Sequence, residues 1–406
     1  MPGMDRSAGG AEHRAEGAGS AVLPRTSSSW SSSGLGELTG RDDGPGLGPP
    51  PELVPGVHSL AEAIARDSTR LGRTVDVDPL GLMADRARLG DLSRHGPVSC
   101  GGSTRLLPSA EGWLAVSLAR PSDWELVAAW LGTVAPVAPG DWARVAAAVE
   151  RKGIDELMAR SSGLGLPIAR VGERQARIAH SGGTGDGIGG VPGRQLASGR
   201  PPESITDVVV ADLSTLWAGP LVGSLLVRAG AQVMKVESSS RPDGARHGSP
   251  AHFASLNAGK EHVAVDLVTP GGRRTLQRIV DASDVVITSA RPRAVEQLGL
   301  DPEGSVRHGR TRIWLSITGY GAGPGSADRV AFGDDAAAAG GLVVRDDRGL
   351  CFCADAVADP VTGLAATAAV LDALVRGGDH LLEASMADVA GSLAGEAGPG
   401  EHTGTG

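Results

Sequence analysis

The stretch Asp207-Val-Val-Val-Ala-Asp-Leu213, joined through an apolar segment at 218–229 to Gln232-Val-Met-Lys-Val-Glu237, decides the fold. A continuous apolar run ending in polar residues is what a parallel strand covered on both faces requires. The two runs with the helical segment between them make a βαβ unit, whose crossover is right-handed. The same alternation continues downstream, with strands expected at 263–267, 284–288 and 311–317 and helices at 271–282 and 294–298. The fold class expected is therefore α/β, an open Rossmann-like parallel sheet domain.

Upstream the texture is different. Residues 1–29 are Gly, Ala, Ser and Arg without periodicity and read as a disordered arm. Helical spacing at 59–71 and 80–92, a strand at 112–118, a helix opening at Ser122 or Asp123, a helix over 142–158 and a short strand at 165–171 make up a smaller α/β domain, residues 30–175. Residues 176–204, centred on Gly182-Gly-Thr-Gly-Asp-Gly-Ile-Gly-Gly190, read as a flexible linker. The large domain is then 205–390, with a disordered tail at 391–406. An internal echo is also present. Ser33-Gly-Leu-Gly-Glu-Leu-Thr-Gly-Arg-Asp-Asp-Gly44 is similar to Gly340-Gly-Leu-Val-Val-Arg-Asp-Asp-Arg-Gly349, and each precedes a Pro-containing loop and an Ala-rich helix.

Composition narrows the function. The 406 residues carry a formal charge of -9 and no long Lys/Arg run, against the basic stripe that phosphate backbones require, so no nucleic-acid partner is expected. No run of 18 apolar residues and no basic-then-apolar leader is visible, so neither a membrane partner nor export is expected and the cytoplasm is the expected location. Cys100, Cys351 and Cys353 read as buried free thiols, since Cys-x-Cys is not the spacing of a redox or zinc site; no metal is expected.

The turn after the first strand, Leu213-Ser-Thr-Leu-Trp-Ala-Gly-Pro220, lacks the close glycines of a dinucleotide fingerprint, and Trp217 fills the bend. A second glycine cluster, Gly319-Tyr-Gly-Ala-Gly-Pro-Gly325, follows a strand at the sheet end where α/β folds hold ligands. Asp359-Pro360 reads as an N-cap followed by a first-turn proline for a helix over 361–374. A helix N-terminus also favours an anion, so capping and a nucleophilic carboxylate are compatible at Asp359.

Taken in order, these motifs resemble the family III CoA-transferases, the formyl-CoA transferase-like or CaiB/BaiF type. Val210-Ala-Asp-Leu-Ser-Thr-Leu-Trp-Ala-Gly-Pro220 and Leu226-Val-Arg-Ala-Gly-Ala-Gln-Val-Met-Lys-Val-Glu237 resemble the family's opening. Leu256-Asn-Ala-Gly-Lys260, Val265-Asp-Leu-Val-Thr-Pro-Gly271, Ala282-Ser-Asp-Val-Val-Ile287, Leu298-Gly-Leu300 and Leu315-Ser-Ile-Thr-Gly-Tyr-Gly321 follow collinearly. In Ala358-Asp-Pro-Val-Thr-Gly363 the resemblance makes Asp359 the nucleophile, with a glycine four residues on. The implied enzyme is a CoA-transferase that moves CoA from an acyl-CoA thioester to a small carboxylic acid through an aspartyl anhydride and an aspartyl-CoA thioester. Coenzyme A is then a substrate and no cofactor is permanently bound. The resemblance places Trp217, Ala218, Ser238, Asp266, Ser289, Ala290, Gly319 and Gly321 along the CoA groove, and implies a homodimer. Gly101-Gly-Ser-Thr-Arg-Leu-Leu107, Glu111 to Trp124 and Leu164-Gly-Leu-Pro-Ile-Ala169 resemble the smaller domain that relatives carry after the large one, so the order here is reversed.

Departures bear on activity. Ser238, Val268, Gln297 and Thr318 stand where family members commonly carry charged or polar groove residues, and Arg241, Arg246, Lys260, Arg291 and Arg293 are the candidates to replace that charge. A catalytically silent partner subunit of the same fold is one alternative. A 2-methylacyl-CoA racemase is another; it needs a histidine where Phe332 stands, or one of His247, His252 and His262, which read as surface residues.

Overall fold

The computed structural model describes residues 30–175 and 188–395. The arm expected at 1–29, the first part of the expected linker at 176–187 and the end of the expected tail at 396–406 lie outside the described residues. The described residues build three sheets. The first is small and antiparallel, in the order β1 (Thr104–Ser109), β2 (Gly112–Ser117), β3 (Ile168–Arg170). The large sheet contains β4 (Gly193–Ala197), β5 (Val209–Asp212), β6 (Gln232–Ser238), β7 (Glu261–Val265), β8 (Val285–Thr288) and β9 (Ile313–Thr318). A hairpin of β10 (Val343–Asp346) and β11 (Gly349–Phe352) follows, and β12 (Asp379–Ser385) returns to the large sheet.

The large sheet runs β4-β12-β9-β8-β5-β6-β7, parallel throughout except for β4, which pairs antiparallel with β12. Strand order reverses at β5: β6 and β7 lie on one side, β8 and β9 on the other. This is the doubly wound arrangement expected from the sequence, and the reversal opens a crevice at the carboxyl ends of β5 and β8. The buried runs Val209–Asp212 and Val285–Thr288 form the middle of the sheet because no polar side chain interrupts them before the strand ends.

The linker is partly ordered. Gly193–Ala197 caps the sheet edge as β4, because the unpaired side of β12 offers a row of free backbone groups that a neighbouring chain segment satisfies. The helix expected over 142–158 is two, Trp142–Val149 and Ile154–Leu164, since Gly153 starts the second as its N-cap. The helix expected over 59–71 runs Leu53–Arg70, with an earlier start. The tail expected from 391 begins later, because Met386–Ala394 is helical and buried.

Among the described residues the apolar side chains form three clusters, one of them on the face of the large sheet that carries Val236, Leu276, Val286 and Trp314. The small sheet with the helices Pro121–Leu131, Trp142–Val149 and Ile154–Leu164 encloses its own apolar cluster around Leu114, Trp130, Val145 and Ile168. Residues from Trp30 to Ala87 instead join the core of the large sheet, in one cluster with Val210, Leu221 and Ala358. The echoed segments lie against each other: Arg41 Nε is 2.6 Å from Asp346 Oδ2, and Arg348 Nη1 donates to Asp43 at 2.8 Å.

The helix Ala358–Arg376 is the central post. It is the described helix long and apolar enough to cross a bilayer, yet its residues are buried on every side, as a core helix requires. It packs against Leu53–Arg70 on one side and Ala218–Ala229 on another. At the second contact Gly363 leaves no room: a Cβ there would meet Leu221 Cδ2 at 2.6 Å and the Ala218 carbonyl oxygen at 3.0 Å. Gly363→Ala should therefore lower stability by roughly 1–3 kcal/mol through overpacking, read by chemical denaturation. A loss no larger than that of an exposed glycine-to-alanine change would contradict this packing.

Candidate active site

The carboxylate of Asp359 sits where three elements converge. The sequence placed it as a helix cap. Instead the helix begins at Ala358 with Val357 as N-cap and no side-chain cap bond, so Asp359 stands inside the first turn. The chain reaches it through a strained turn: Ala354 and Ala356 have φ of 56° and 44°, values that alanine seldom adopts. With the backbone so bent, the Asp359 side chain faces Gly333 and the start of the helix Ala218–Ala229. A Cβ at Gly333 would fall 2.2 Å from Asp359 Oδ2, so only glycine allows this approach. The backbone N–H of Ala218 lies close enough to the carboxylate to favour its anion, and with it comes the positive end of that helix.

Asp359 keeps an open face while protein surrounds the rest of it. That burial pushes its carboxyl from 3.8 up to about 7; the Arg86 guanidinium and the Ala218 N–H pull it down, and Asp334 and Asp355 push it up. Arg86 comes from the helix Pro79–Gly90 in the first half of the chain, and no sequence feature singled it out. Its Nε is 2.7 Å from Asp355 Oδ2, and its Nη2 bonds to the other oxygen, the two-pronged geometry that suits Arg to a carboxylate. Its Cζ also lies 5.6 Å from the ring centre of Trp217, the residue preceding Ala218. The buried Trp217 ring meets His252 edge-on at 4.7 Å, and its indole N–H has no partner among the described residues.

Behind this centre lie two more buried carboxyls. Asp334 accepts from the Ala356 N–H at 3.1 Å and is pushed to about 6, by burial first and then by Asp355. Asp335 accepts from the Phe332 N–H at 2.8 Å, Ser117 Oγ at 3.0 Å and Tyr320 Oη at 3.2 Å, and burial pushes it to about 7. Thr104 and Ser117 of the small sheet thus reach the helix Gly333–Gly340 of the large unit.

The turn that carries Trp217 is anchored from below. Lys235 bonds to the Ser214 carbonyl and lies 3.1 Å from Asp243, which accepts the Leu216 N–H; Lys260 lies 2.8 Å from Asp212 and from the Pro220 carbonyl. All four charged side chains are fully buried. Lys260 is therefore committed to the fold and is not a replacement cation for the groove. Arg246 is likewise held by Glu237, with Nη2 at 2.6 Å, and this pairing takes the glutamate down to about 2. Among the described residues no hydrogen bond or ion pair engages the side chains of Arg241 or Arg293.

The remaining expected groove residues share the carboxyl edge of the parallel strands without touching Asp359. Ser289 and Ala290 follow β8, and Ser289 Oγ accepts the Thr215 N–H at 2.9 Å across the crevice. Ser238 ends β6 and contacts Ser240 at 3.1 Å; the exposed Asp266 holds its own turn through the Val268 N–H at 3.2 Å. Gly319 lies against Ala331, and Gly321 has a φ of 88°. Ala290 lines a cavity of about 400 Å³ with Thr318 and Glu383; a cavity of about 680 Å³ lies in the small unit beside Trp124, and Asp359 lines neither. His252 corrects a surface expectation: it is buried, and burial followed by Arg86 lowers it to about 4, so it is neutral at pH 7. Cys100, Cys351 and Cys353 are free and buried.

The raised carboxyl has a consequence for stability. A carboxyl that titrates near 7 in the folded protein and near 3.8 when free destabilises the fold progressively as pH rises from about 4 to 7. Asp359→Asn should therefore stabilise the protein at pH 8 by roughly 2 kcal/mol and by less at pH 5. Equal gains at both pH values in urea denaturation would contradict the burial.

Residues 205–397 match CoA-transferase family III. The succinyl-CoA–D-citramalate CoA-transferase of Chloroflexus aurantiacus is 32% identical over 154 residues, 36% of this chain and 38% of that protein. The succinyl-CoA:glutarate CoA-transferase of Mus musculus is 30% identical over 207 residues, 46% of this chain and 48% of its own. A crystal structure of the protein Rv3272 from Mycobacterium tuberculosis aligns with a TM-score of 0.43 at 31% identity, over 47% of this chain and 56% of that one. The chain spans less than half the length of these curated relatives. The parallel strands of the large sheet and the ordered motifs on them fall within residues 205–397, the stretch that matches CoA-transferase family III.

Proposed function

We propose that the protein transfers CoA from an acyl-CoA to a carboxylic acid, with Asp359 as the covalent nucleophile. The observation that carries this reading is a half-open carboxylate beside the Ala218 N–H at a helix N-terminus, inside the family-matched region. In the first step an Asp359 oxygen attacks the thioester carbonyl, the C–S bond breaks, and CoA leaves as thiolate with the electron pair. The thiolate then attacks the aspartyl carbonyl of the mixed anhydride and releases the first acid as its carboxylate. The acceptor carboxylate attacks the aspartyl-CoA thioester, and the thiolate released takes the new acyl group, restoring the free Asp359 carboxylate. Each intermediate oxyanion needs donors already in place. The Ala218 N–H, beside the Asp359 carboxylate, is our candidate donor.

The carboxyl edge lined by Trp217, Ala218, Ser238, Asp266, Ser289, Ala290, Gly319 and Gly321 is our assignment for CoA, with Arg241, Arg291 and Arg293 as phosphate partners. A homodimer is the assembly implied by the resemblance. The engagement of Lys260 and Arg246 within the fold favours the alternative of a silent partner subunit.

Incubation with succinyl-CoA and other acyl-CoA thioesters, followed by mass spectrometry, decides between them. An acyl or CoA adduct on the peptide containing Asp359, absent from Asp359→Asn, is expected. No adduct with any thioester, together with no heat of CoA binding, would overturn the transferase and leave the silent partner.

A further inference from the structure

We propose that Arg86, supplied by the first half of the chain, is the positioning residue of the Asp359 centre: its two-pronged bond to Asp355 holds the strained turn that aims the nucleophile, and its guanidinium is the cation of that centre. The inference deepens the proposed function and rests on it for the word nucleophile.

The turn from Cys353 to Val357 is held at three successive residues. Thr39 Oγ1 accepts the Ala354 N–H at 3.0 Å, Arg86 grips the Asp355 carboxylate, and Asp334 Oδ1 accepts the Ala356 N–H at 3.1 Å. Two of these three holds, Thr39 and Arg86, belong to residues 30–100. Left-handed alanines are strained and persist only where the surroundings over-determine them. Thr39, Arg86 and Asp334 are those surroundings. Asp355 is fully buried, so without Arg86 it would be an uncompensated charge at the base of the turn.

Arg86 is not used up by its grip on Asp355. A quarter of its side chain is exposed, Nη1 makes no hydrogen bond among the described residues, and Gly101 leaves space beside Nη2, whose nearest approach to a Cβ there would be 3.7 Å. The charged groups that act most on Asp359 are Arg86 from Pro79–Gly90, Asp334 from Gly333–Gly340 and Asp355 from its own turn; Ala218–Ala229 contributes the Ala218 N–H. Of the charged groups only Arg86 favours the anion. Cys100 and His252 face Arg86 and stay uncharged near neutrality, the thiol raised and the imidazole lowered chiefly by burial.

The test reads the Asp359 carboxyl directly, without catalysis. Full-length protein labelled with ¹³C at aspartate carboxyls is titrated from pH 4 to 9 by NMR, and the Asp359 signal is identified by its loss in Asp359→Asn. Arg86→Gln should raise the Asp359 midpoint by about 1 unit, and Arg86→Lys should return it most of the way to the wild-type value. The double variant Arg86→Gln/Asp355→Asn removes the buried pair together and leaves no stranded charge, so it keeps the test open if the single variant fails to fold. Its midpoint should also rise, because Arg86 outweighs Asp355 at Asp359. A midpoint that stays at the wild-type value in Arg86→Gln, or in the double variant where the single one does not fold, would overturn the inference. Absence of any acyl adduct in the wild-type protein would overturn the transferase reading instead, and the titration would still judge Arg86.

Discussion

The close contact between the helices Ala358–Arg376 and Ala218–Ala229 at Gly363 is the constraint on which the rest of the centre depends. Only a hydrogen fits between Gly363, Leu221 and the Ala218 carbonyl. Because the axes can approach that far, the N-terminus of Ala218–Ala229 reaches the first turn of Ala358–Arg376, and the Ala218 N–H meets Asp359. A second glycine, Gly333, admits the carboxylate from the other side. Both glycines serve proximity between backbone and side chain, a requirement on space and not on flexibility.

Everything beneath this contact keeps it fixed. Two buried lysine–aspartate pairs, Lys235–Asp243 and Lys260–Asp212, support the Ser214–Pro220 turn through its carbonyls and the Leu216 N–H. Buried ion pairs contribute little net stability, but removal of one partner is strongly destabilising, so they act as devices of specificity that hold one conformation of the turn. The strained alanines before Asp359 are held in the same way by Thr39, Arg86 and Asp334. The centre thus gathers three carboxyls and one cation where water is mostly excluded. A carboxyl with raised affinity for its proton is a stronger nucleophile once ionised, and one titrating near neutrality is available in that form at physiological pH.

The two halves of the chain are unequal contributors. The small sheet keeps its own core, whereas the residues around the helices Leu53–Arg70 and Pro79–Gly90 merge with the large one. That merging supplies Arg86 and Thr39. It also brings the two echoed segments face to face through the Arg41–Asp346 and Arg348–Asp43 pairs, although their similarity carried no indication of contact.

The sequence by itself determined the strand and helix alternation of the large sheet, the place of its crevice and Asp359 as the residue to examine. Those features are written in local patterns: buried runs of Val and Ile, a bend occupied by Trp217, and an aspartate with a glycine one turn later. The tertiary structure alone decided that Asp359 lies within the helix instead of capping it, that β4 forms from a glycine-rich linker, and that His252 is buried. It alone revealed Arg86. A lone arginine on an amphipathic helix has no signature in sequence, because its role arises from an aspartate 269 residues away and from the packing that brings the two together. Periodicity reports which face of an element is apolar; only the assembled core reports which charges that face carries into the site.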